Sequence, residues 1–493
     1  MIKRYANKEI EQIFGDANKT SLWQEIEIAV ILVKESLGMV PRGIGEKIKQ
    51  IWDENPIDLE WWKNKDAEIH HDLNAFILER VRHLPNELQQ YVHDKMTSFD
   101  TEETPFLQML HQASKIVDEK YQVFQRIISN FAKKNRFTVM IARTHGQEAE
   151  LKSLGARALS WLVDMDGVYN QFCIAQDATY FSKISGAVGN YGSISPKVEK
   201  ETLSFLSFRP FYGATQILPR SIHASLAQAL CNLALVLDKI ANDVRLNARS
   251  GRPLLQEPFK KTQTGSSAMP QKKNPIQLEQ VEGMARLAKS YTLSITENIR
   301  TWEERAIEQS CVERVAWPDL FSVVARILDV MQKIFSNLTV YRDNMLQEIV
   351  DARGTYASSE AKEFLKKHLS GKVGLGYEDC YRLVQLACFN VFEEVNVIDP
   401  ENKIPIDLKA ADFWLDLQRK RSKKEVISIE TIIPAGQLRV SSQLVTTSDD
   451  VTHYNELLKE LFKEEKLLEE WHELFKPSFL LKNEEILFRE ILG

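Results

Sequence analysis

Apolar residues recur at steps of three and four along three long stretches in the middle of the chain. The stretches run from Phe106 to Phe131, from Ile222 to Val244 and from Leu320 to Leu338. This spacing places the apolar side chains of each stretch on one face of a helix. Each face spans several turns, which is longer than the average helix of a globular protein. The pattern therefore predicts three long amphipathic helices.

The flanking parts of the chain have shorter apolar patterns, interrupted by polar turns. We predict an N-terminal helical domain over residues 1–105, a central helical bundle over 106–350 with a loop at 261–275, and a C-terminal helical domain with an extension over 351–493. Finer predictions for the last domain are a turn at 371–376, a helix at 377–394, a hairpin or irregular segment around 429–434 and a charged helix at 456–474.

Long apolar faces pack best against other long helices, so we predict an all-α fold with a central bundle. Periodicity alone does not distinguish a face buried within one chain from a face buried between subunits. The faces of the second and third stretches are longer than short flanking helices can cover. We therefore expect these helices to form a shared bundle with other copies of the chain.

Composition and charge exclude several classes of function. The chain carries a net charge of -6, so we expect no binding to nucleic acid, and an anionic ligand would need local positive charge. The first residues are too charged for a signal peptide, and no uninterrupted apolar run has membrane-spanning length, so we expect a cytoplasmic protein. The five cysteines are scattered, and no metal motif, Walker loop or dinucleotide fingerprint occurs. We therefore expect no metal and no cofactor.

One loop combines flexibility, hydrogen-bond donors and positive charge. It runs from Gly265 to Pro275 with the sequence GSSAMPQKKNP. Its hydroxyl groups, lysines and asparagine are suited to hold a carboxylate on which charge develops, and its glycine lets a ligand approach closely. We expect the loop to be mobile without ligand. The string is similar to the signature loop of the fumarase/aspartase superfamily, whose members release fumarate from substituted succinates.

Further motifs resemble one family of that superfamily, the adenylosuccinate lyases, over most of residues 1–395. They are Arg4-Tyr5, His71-Asp72, Thr97-Ser98, Arg143-Thr144-His145-Gly146-Gln147, Lys183 to Gly189, Thr215-Gln216 with Arg220, and the segment from Trp302 to Arg314. The sequence departs from the family pattern at several positions. Lys95 stands where the family usually has glycine, Ser221 replaces an aspartate, and Gln309 replaces a histidine.

The resemblance implies the elimination of fumarate from adenylosuccinate, giving AMP, and from the succinylated ribotide SAICAR, giving AICAR, in purine nucleotide biosynthesis. It implies that Ser266 is the base, that His145 is the acid, that Glu279 pairs with the motif histidine, and that His71 is also catalytic. It further implies a homotetramer in which each active site is shared between chains. The residues that the resemblance assigns to substrate binding are Arg4, Tyr5, Asp72, Thr97, Ser98, Gln216, Lys272, Asn274, Arg305, Ser310 and Arg314.

Other interpretations of the same residues stay open. Another lyase of the superfamily, chiefly argininosuccinate lyase, would not need phosphate ligands at Arg305 and Arg314. A catalytically silent structural member of the fold would have no reason to retain the loop and the motif histidine together. Without the resemblance, two arginines nine positions apart on one helix would lie on roughly opposite faces as solvated charges. His93 is interpreted equally well as a site residue or as a structural histidine.

Overall fold

The computed structural model describes residues 1–260, 262–369 and 460–493 and, between the last two ranges, residues 378, 380, 381, 383–385 and 388. Helices dominate this part of the chain, which confirms the predicted all-α class. The finer predictions for residues 371–376 and 429–434 lie outside the described residues, and so do 11 of the 18 residues of the helix predicted at 377–394, whose seven described residues are helical.

The helices, in chain order, are α1 (Lys8–Ile13), α2 (Asp16–Ser36), α3 (Ile44–Glu54), α4 (Leu59–Ile69), α5 (Asp72–Val81), α6 (Asn86–Gln89), α7 (Ser98–Lys134), α8 (Leu154–Asp177), α9 (Pro196–Phe205), α10 (Arg220–Leu246), α11 (Ile276–Glu297), α12 (Glu308–Ser336), α13 (Arg342–Asp351), α14 (Ser358–Leu369), α15 (Glu465–Glu473), α16 (Pro477–Leu480) and α17 (Glu485–Leu492). The strands are β1 (Val139–Thr144), β2 (Gln147–Ser153), β3 (Phe181–Ser182), β4 (Arg209–Pro210), β5 (Leu255–Gln256) and β6 (Thr339–Val340).

The chain divides into two compact units. Unit 1 comprises Met1–Gln125, Asp164–Asp243 and Asn274–Ser336. In it, α11 packs along α12, α4 packs on α5, and α2 contacts both α3 and α9. Aromatic side chains fill its smaller cores, as where Trp23 meets Phe76 edge to face at 5.5 Å between ring centroids.

Unit 2 comprises Arg126–Val163, Val244–Lys273 and Asn337–Gly493. The hairpin β1–β2 contacts α13, and its apolar core contains the buried side chains of Ile141, Phe364 and Trp471. The end of β2 also contacts the last helical segment of the chain. There the backbone N–H of Ser153 donates to the Glu484 carboxylate at 3.0 Å, and Gly155 leaves room for the Phe488 ring, which a β-carbon would approach to 2.8 Å.

The three predicted long helices are present as α7, α10 and α12. Their apolar faces are buried within the single chain: Tyr121, Leu237 and Ile327 are each 0% exposed. These faces therefore do not by themselves require another copy of the chain, and the shared bundle stays a prediction. The spacing along one stretch shows that a helix face is apolar. It does not show how much of that face is covered by segments that are distant in the sequence.

Three smaller differences concern the ends of elements. α12 ends at Ser336, so Leu338 lies beyond the helix that its spacing suggested. Of the charged helix predicted at 456–474, residues 465–473 form α15, a turn lies at 462–464, and residues 456–459 lie outside the described part of the chain. Within the described residues, only α10 is long and apolar enough to cross a membrane, and 61% of its most apolar window is buried inside the protein. One such helix is weak evidence for a membrane span, because core helices pass the same test.

Candidate active site

His145 lies at the tip of the β1–β2 hairpin in unit 2. Thr144 pairs with Gln147 in the antiparallel register, so His145 and Gly146 alone form the turn. Both have positive φ, 55° and 78°, as the two central residues of a type I′ turn require. Glycine adopts this conformation without strain, whereas histidine does so at some cost. The turn therefore holds the His145 side chain in an exposed position at the end of two paired strands.

Two ion pairs of Arg143 hold the strand ends next to the hairpin tip. Arg143 donates to Glu348 of α13 at 2.9 Å and to Glu148 of β2 at 3.2 Å. Burial raises the pKa of Glu348, although Arg143 opposes that rise. The two ion pairs connect both strands and α13, so they restrain the residues next to His145.

Ser266 sits in a local turn of the signature loop. Its Oγ accepts hydrogen bonds from the backbone N–H groups of Met269 at 3.2 Å and Ala268 at 3.4 Å. Donors in this position would stabilise negative charge on the serine oxygen. The preceding Gly265 packs against the Lys272 backbone, where a β-carbon would lie 1.9 Å from the carbonyl oxygen. Only glycine fits this approach, so Gly265 brings the two ends of the loop together.

The other candidate residues of the loop region are Lys272, Asn274 and Glu279. The Lys272 side chain is exposed, and Asn274 is partly buried just before α11. Glu279 is an exposed residue in the first turn of α11, where a carboxylate interacts favourably with the helix dipole.

His71 and Asp72 begin α5 in unit 1. His71 is the N-cap, and its Nδ1 accepts a hydrogen bond from the backbone N–H of Asn74 at 3.2 Å. A neutral imidazole that accepts at Nδ1 carries its proton on Nε2, so His71 presents a donor at Nε2. Asp72 Oδ2 accepts from Arg314 Nη2 at 2.8 Å.

The Thr97-Ser98 pair precedes and begins α7, and its conformation depends on Asp100. The backbone N–H of Thr97 donates to Asp100 Oδ2 at 3.0 Å. Asp100 Oδ1 in turn accepts from the buried Lys183 ammonium at 2.6 Å. Lys183 belongs to the glycine-rich segment, so a buried ion pair holds that segment against the start of α7.

The cationic cluster of unit 1 comprises Arg305, Gln216 and Arg314, with Ser310 one helical turn before Arg314 on α12. Arg305 Nη1 donates to Gln216 Oε1 at 2.8 Å, and its guanidinium lies 4.2 Å from the centroid of the Phe99 ring. Arg314 is the more exposed of the two arginines. The buried Ser310 hydroxyl has no hydrogen-bond partner in the described part of the chain. These groups together can bind an anion by bidentate hydrogen bonds.

Arg305 does not lie on the helix that carries Arg314. α12 begins at Glu308, and Arg305 belongs to the segment before it. That segment is held by Thr215, whose hydroxyl donates to the Glu304 carbonyl at 2.8 Å. The two arginines therefore do not have the opposite helical phases that their spacing alone suggested.

Arg4 and Tyr5 precede α1, and the described contacts of the Arg4 guanidinium are limited to the Tyr5 ring at 5.8 Å. The described part of the chain contains no group of three or more His, Cys, Asp and Glu side chains arranged to hold a metal ion.

A buried charge network supports the cationic cluster. Arg220 Nη1 donates to both carboxylate oxygens of Glu103 at 2.9 Å, and Arg220 Nε lies 2.7 Å from Glu313 Oε1. The Nε2 atom of His223 lies 3.7 Å from the Glu103 carboxylate, and its Nδ1 atom lies 3.7 Å from the Glu313 carboxylate. Burial lowers the pKa of Arg220, but the charges of Glu103 and Glu313 raise it by more. Since Glu313 lies on α12 and Glu103 on α7, the network fixes the helix that carries Ser310 and Arg314.

Sequence reasoning missed Glu102 and Glu103, which carried no signal beyond being two adjacent acidic residues. His93 makes a structural contact, in which its Nδ1 lies 2.8 Å from the buried Glu27 carboxylate, and its part in the site stays a prediction. Burial lowers the pKa of His93, but hydrogen bonding and the charge of Glu27 raise it by more.

Lys95, one of the departures from the family pattern, adopts a left-handed backbone with φ 61°. A non-glycine residue in this region pays about 1 kcal/mol relative to glycine. We therefore expect Lys95→Gly to change the free energy of unfolding by about +0.5 to +1 kcal/mol, in the stabilising direction. Thermal unfolding would measure this change, and Lys47→Gly in the middle of α3 is the opposite control, because it should destabilise. If Lys95→Gly were less stable than the wild type, the left-handed backbone at Lys95 would not be a source of strain.

Comparisons with known proteins show the family of the chain. A family model described as Lyase matches residues 17–288. Adenylosuccinate lyase of Thermotoga maritima is 33% identical over 386 residues, which cover 78% of this chain and 87% of that protein. Adenylosuccinate lyase of Aquifex aeolicus is 33% identical over 410 residues, covering 81% of this chain and 92% of that protein.

The fold is also that of solved structures with more distant sequences. A crystal structure of fumarate lyase from Mesorhizobium sp. BNC1 is similar with a TM-score of 0.77 at 18% identity, over 99% of this chain and 98% of that chain. At this identity the likeness shows the fold alone, whereas the sequence matches show the family. The chain therefore belongs to the adenylosuccinate lyase family of the fumarase/aspartase superfamily and is a carbon–nitrogen lyase.

Proposed function

We propose that this enzyme eliminates fumarate from adenylosuccinate, giving AMP, and from SAICAR, giving AICAR, as a cytoplasmic enzyme of purine nucleotide biosynthesis. The observation that carries the proposal is the cationic cluster of Arg305, Ser310 and Arg314. Both substrates carry a phosphate monoester, which two arginines and a buried hydroxyl with no partner would bind. Argininosuccinate has no phosphate and would leave these groups unused.

The proposed chemistry begins with removal of a proton from the carbon next to a substrate carboxylate. Ser266 takes this proton, and the backbone N–H groups that contact its Oγ stabilise the alkoxide that must act as the base. Serine is a poor base in water, so the closed loop must also exclude solvent. Lys272 and Asn274 hold the carboxylate on which the second negative charge develops.

The second step breaks the neighbouring C–N bond and releases fumarate. In this proposal His145 gives a proton to the leaving nitrogen, and Glu279 pairs with the imidazole, fixing its tautomer and favouring its protonated form. His71 and the groups around it contact the substrate, and its Nε2 donor suits a carboxylate or carbonyl oxygen. Arg4, Tyr5, Asp72, Thr97, Ser98 and Gln216 complete the binding surface. No cofactor takes part.

The test is a direct assay of purified protein with three substrates: adenylosuccinate, SAICAR and argininosuccinate. We expect fumarate release from the first two, with AMP and AICAR as the other products, and none from argininosuccinate. Cleavage of argininosuccinate alone would identify another lyase of the superfamily. A folded protein without activity on any of the three would indicate a silent structural member.

We further propose that the enzyme is a homotetramer whose active sites each draw Thr97-Ser98, His145 and Ser266 from three different chains. Two features support this arrangement. His145 is exposed at a hairpin tip, and the chain exposes large apolar side chains that a partner could cover, including Leu293, Trp302 and Val315 at 63%, 76% and 61%. The division into three domains at residues 105 and 350 likewise remains our proposal.

Mixed tetramers test the shared site. We expect co-expressed His145→Ala and Ser266→Ala chains to recover up to about a quarter of wild-type activity, because random assembly gives that share of sites both intact groups. The two variants purified separately and assayed together without exchange are the control. Light scattering should show a tetramer of 56.8 kDa chains. Mixed tetramers that remain inactive, or a fully active monomer, would contradict the shared site.

A further inference from the structure

Glu102 is a carboxyl group beside the cationic cluster that the proposed mechanism does not use. It lies on α7 one turn after Phe99, the residue on whose ring Arg305 stacks at 4.2 Å. The side chain is partly buried. In the described part of the chain, its carboxylate accepts no hydrogen bond and forms no ion pair within 4.0 Å, although two arginines are its electrostatic neighbours.

Charged side chains from four segments influence the pKa of Glu102. They are Asp72 at the start of α5, Arg314 on α12, Arg305 in the segment before α12, and Lys19 on α2. Arg314 is already engaged, since its Nη2 binds Asp72 Oδ2 at 2.8 Å. Burial and the negative charge of Asp72 raise the pKa of Glu102 to about 7, while Arg314, Arg305 and Lys19 oppose the rise. The carboxyl therefore titrates closer to neutral pH than an ordinary glutamate does.

We propose that Glu102 takes up a proton when a phosphate dianion binds at Arg305 and Arg314. The inference rests on the proposed function in one respect, that these two arginines hold the substrate phosphate. Before binding, Asp72 and the ionised form of Glu102 together offset the charges of the two arginines. A bound dianion brings further negative charge close to Glu102 and favours its neutral form. Glu102 thus modulates phosphate binding through its own charge.

The proposal predicts that the affinity for phosphate falls as the pH rises above 7. Below pH 7 Glu102 is already protonated in the free site, so phosphate binding meets no competing carboxylate. Above pH 7 the carboxylate must first take a proton from solution, and the affinity falls by up to about tenfold per pH unit until the pKa of the bound state is reached. Glu102→Gln keeps the shape of the side chain and removes both the charge and this dependence.

Calorimetric titration of AMP in two buffers with different ionisation enthalpies measures the number of protons taken up. At pH 7 we expect the wild-type enzyme to take up about half a proton more than Glu102→Gln. Adenosine, which lacks the phosphate, should show no such difference. At pH 8.5 Glu102→Gln should bind AMP about tenfold more tightly than the wild type, whereas at pH 6 the two should agree. Glu119→Gln, an exposed position on the same helix, is the matched control and should behave as the wild type.

Each outcome decides the question. Equal proton uptake by wild type and Glu102→Gln would overturn the inference, and so would a loss of affinity at both pH values, which a purely structural role predicts. If AMP does not bind but inorganic phosphate binds with proton uptake that depends on Glu102, the proposed substrate is wrong and the inference stands. If neither ligand binds to the wild type, the cluster is not a phosphate site and both proposals fail.

Discussion

Ser266→Ala is expected to fold normally and to lower the turnover of adenylosuccinate by about two to four orders of magnitude. The substitution removes the oxygen that would accept the substrate proton, and the backbone N–H groups of Ala268 and Met269 then have no charge to stabilise. Because the side chain is a small one in an exposed loop, its removal should leave the melting temperature within about 1 °C of the wild type. The proposed phosphate contacts are untouched, so the affinity for AMP should also persist.

The neighbouring serine provides the control. Ser267→Ala makes the same change of volume at the next position of the loop and should keep most of the activity. Turnover by both variants is measured as fumarate release, with circular dichroism to verify folding. If Ser267→Ala loses activity while Ser266→Ala retains it, the base is Ser267. If both retain near-wild-type turnover, neither serine is the base and the loop acts only by binding.

Arg220→Met is expected to destabilise the enzyme by about 3–5 kcal/mol, the range for breaking a buried ion pair by removal of one partner. The Arg220 side chain is fully buried and contacts two carboxylates, those of Glu103 and Glu313. Methionine fills a similar volume but leaves both carboxylates in the interior without a cation. Burial would then raise the pKa of Glu313, which Arg220 and His223 now hold below its ordinary value against the effect of burial.

Arg209→Met is the matched control for this prediction. Arg209 also pairs with a carboxylate, Asp177 at 3.6 Å, but on the surface, so its loss should cost at most about 1 kcal/mol. Thermal and urea unfolding measure both variants. A second variant, Arg220→Met with Glu103→Gln and Glu313→Gln, removes the uncompensated charge and should recover part of the loss. A cost for Arg220→Met as small as that for Arg209→Met would show that the network contributes little.

The helical part of the fold follows closely from the sequence. Apolar residues such as Leu110, Leu237 and Ile327 recur at helical spacing, and each lies in the interior of a long helix. The hairpin that carries His145 was not predicted, because its strands lack a clear alternation of apolar and polar residues. A histidine in a two-residue turn is also an unusual signal, since positive φ at that position is normally adopted by Asn, Asp or Gly.

The candidate site was predicted residue by residue from motifs and not from spacing. Asp72 and Arg314 lie 242 positions apart, yet they form a hydrogen bond at 2.8 Å. No periodicity indicates such a contact. Glu102 was missed for a related reason: its pKa depends on Asp72, Arg305 and Arg314, which reach it from distant parts of the chain. Sequence patterns predict which residues are polar, whereas the charge environment is set only when the chain is folded.

The contact between β2 and the last helical segment affects the order of events during synthesis. The hairpin residues are made early, but Ser153 binds Glu484 and Gly155 packs on Phe488, residues that are translated more than three hundred positions later. Domains fold during synthesis, and the ribosome adds about 5–20 residues per second. The strand that follows His145 therefore waits tens of seconds for its final packing partner. On a nascent chain, the base of the hairpin that carries His145 therefore gains this packing only after Glu484 and Phe488 have been made.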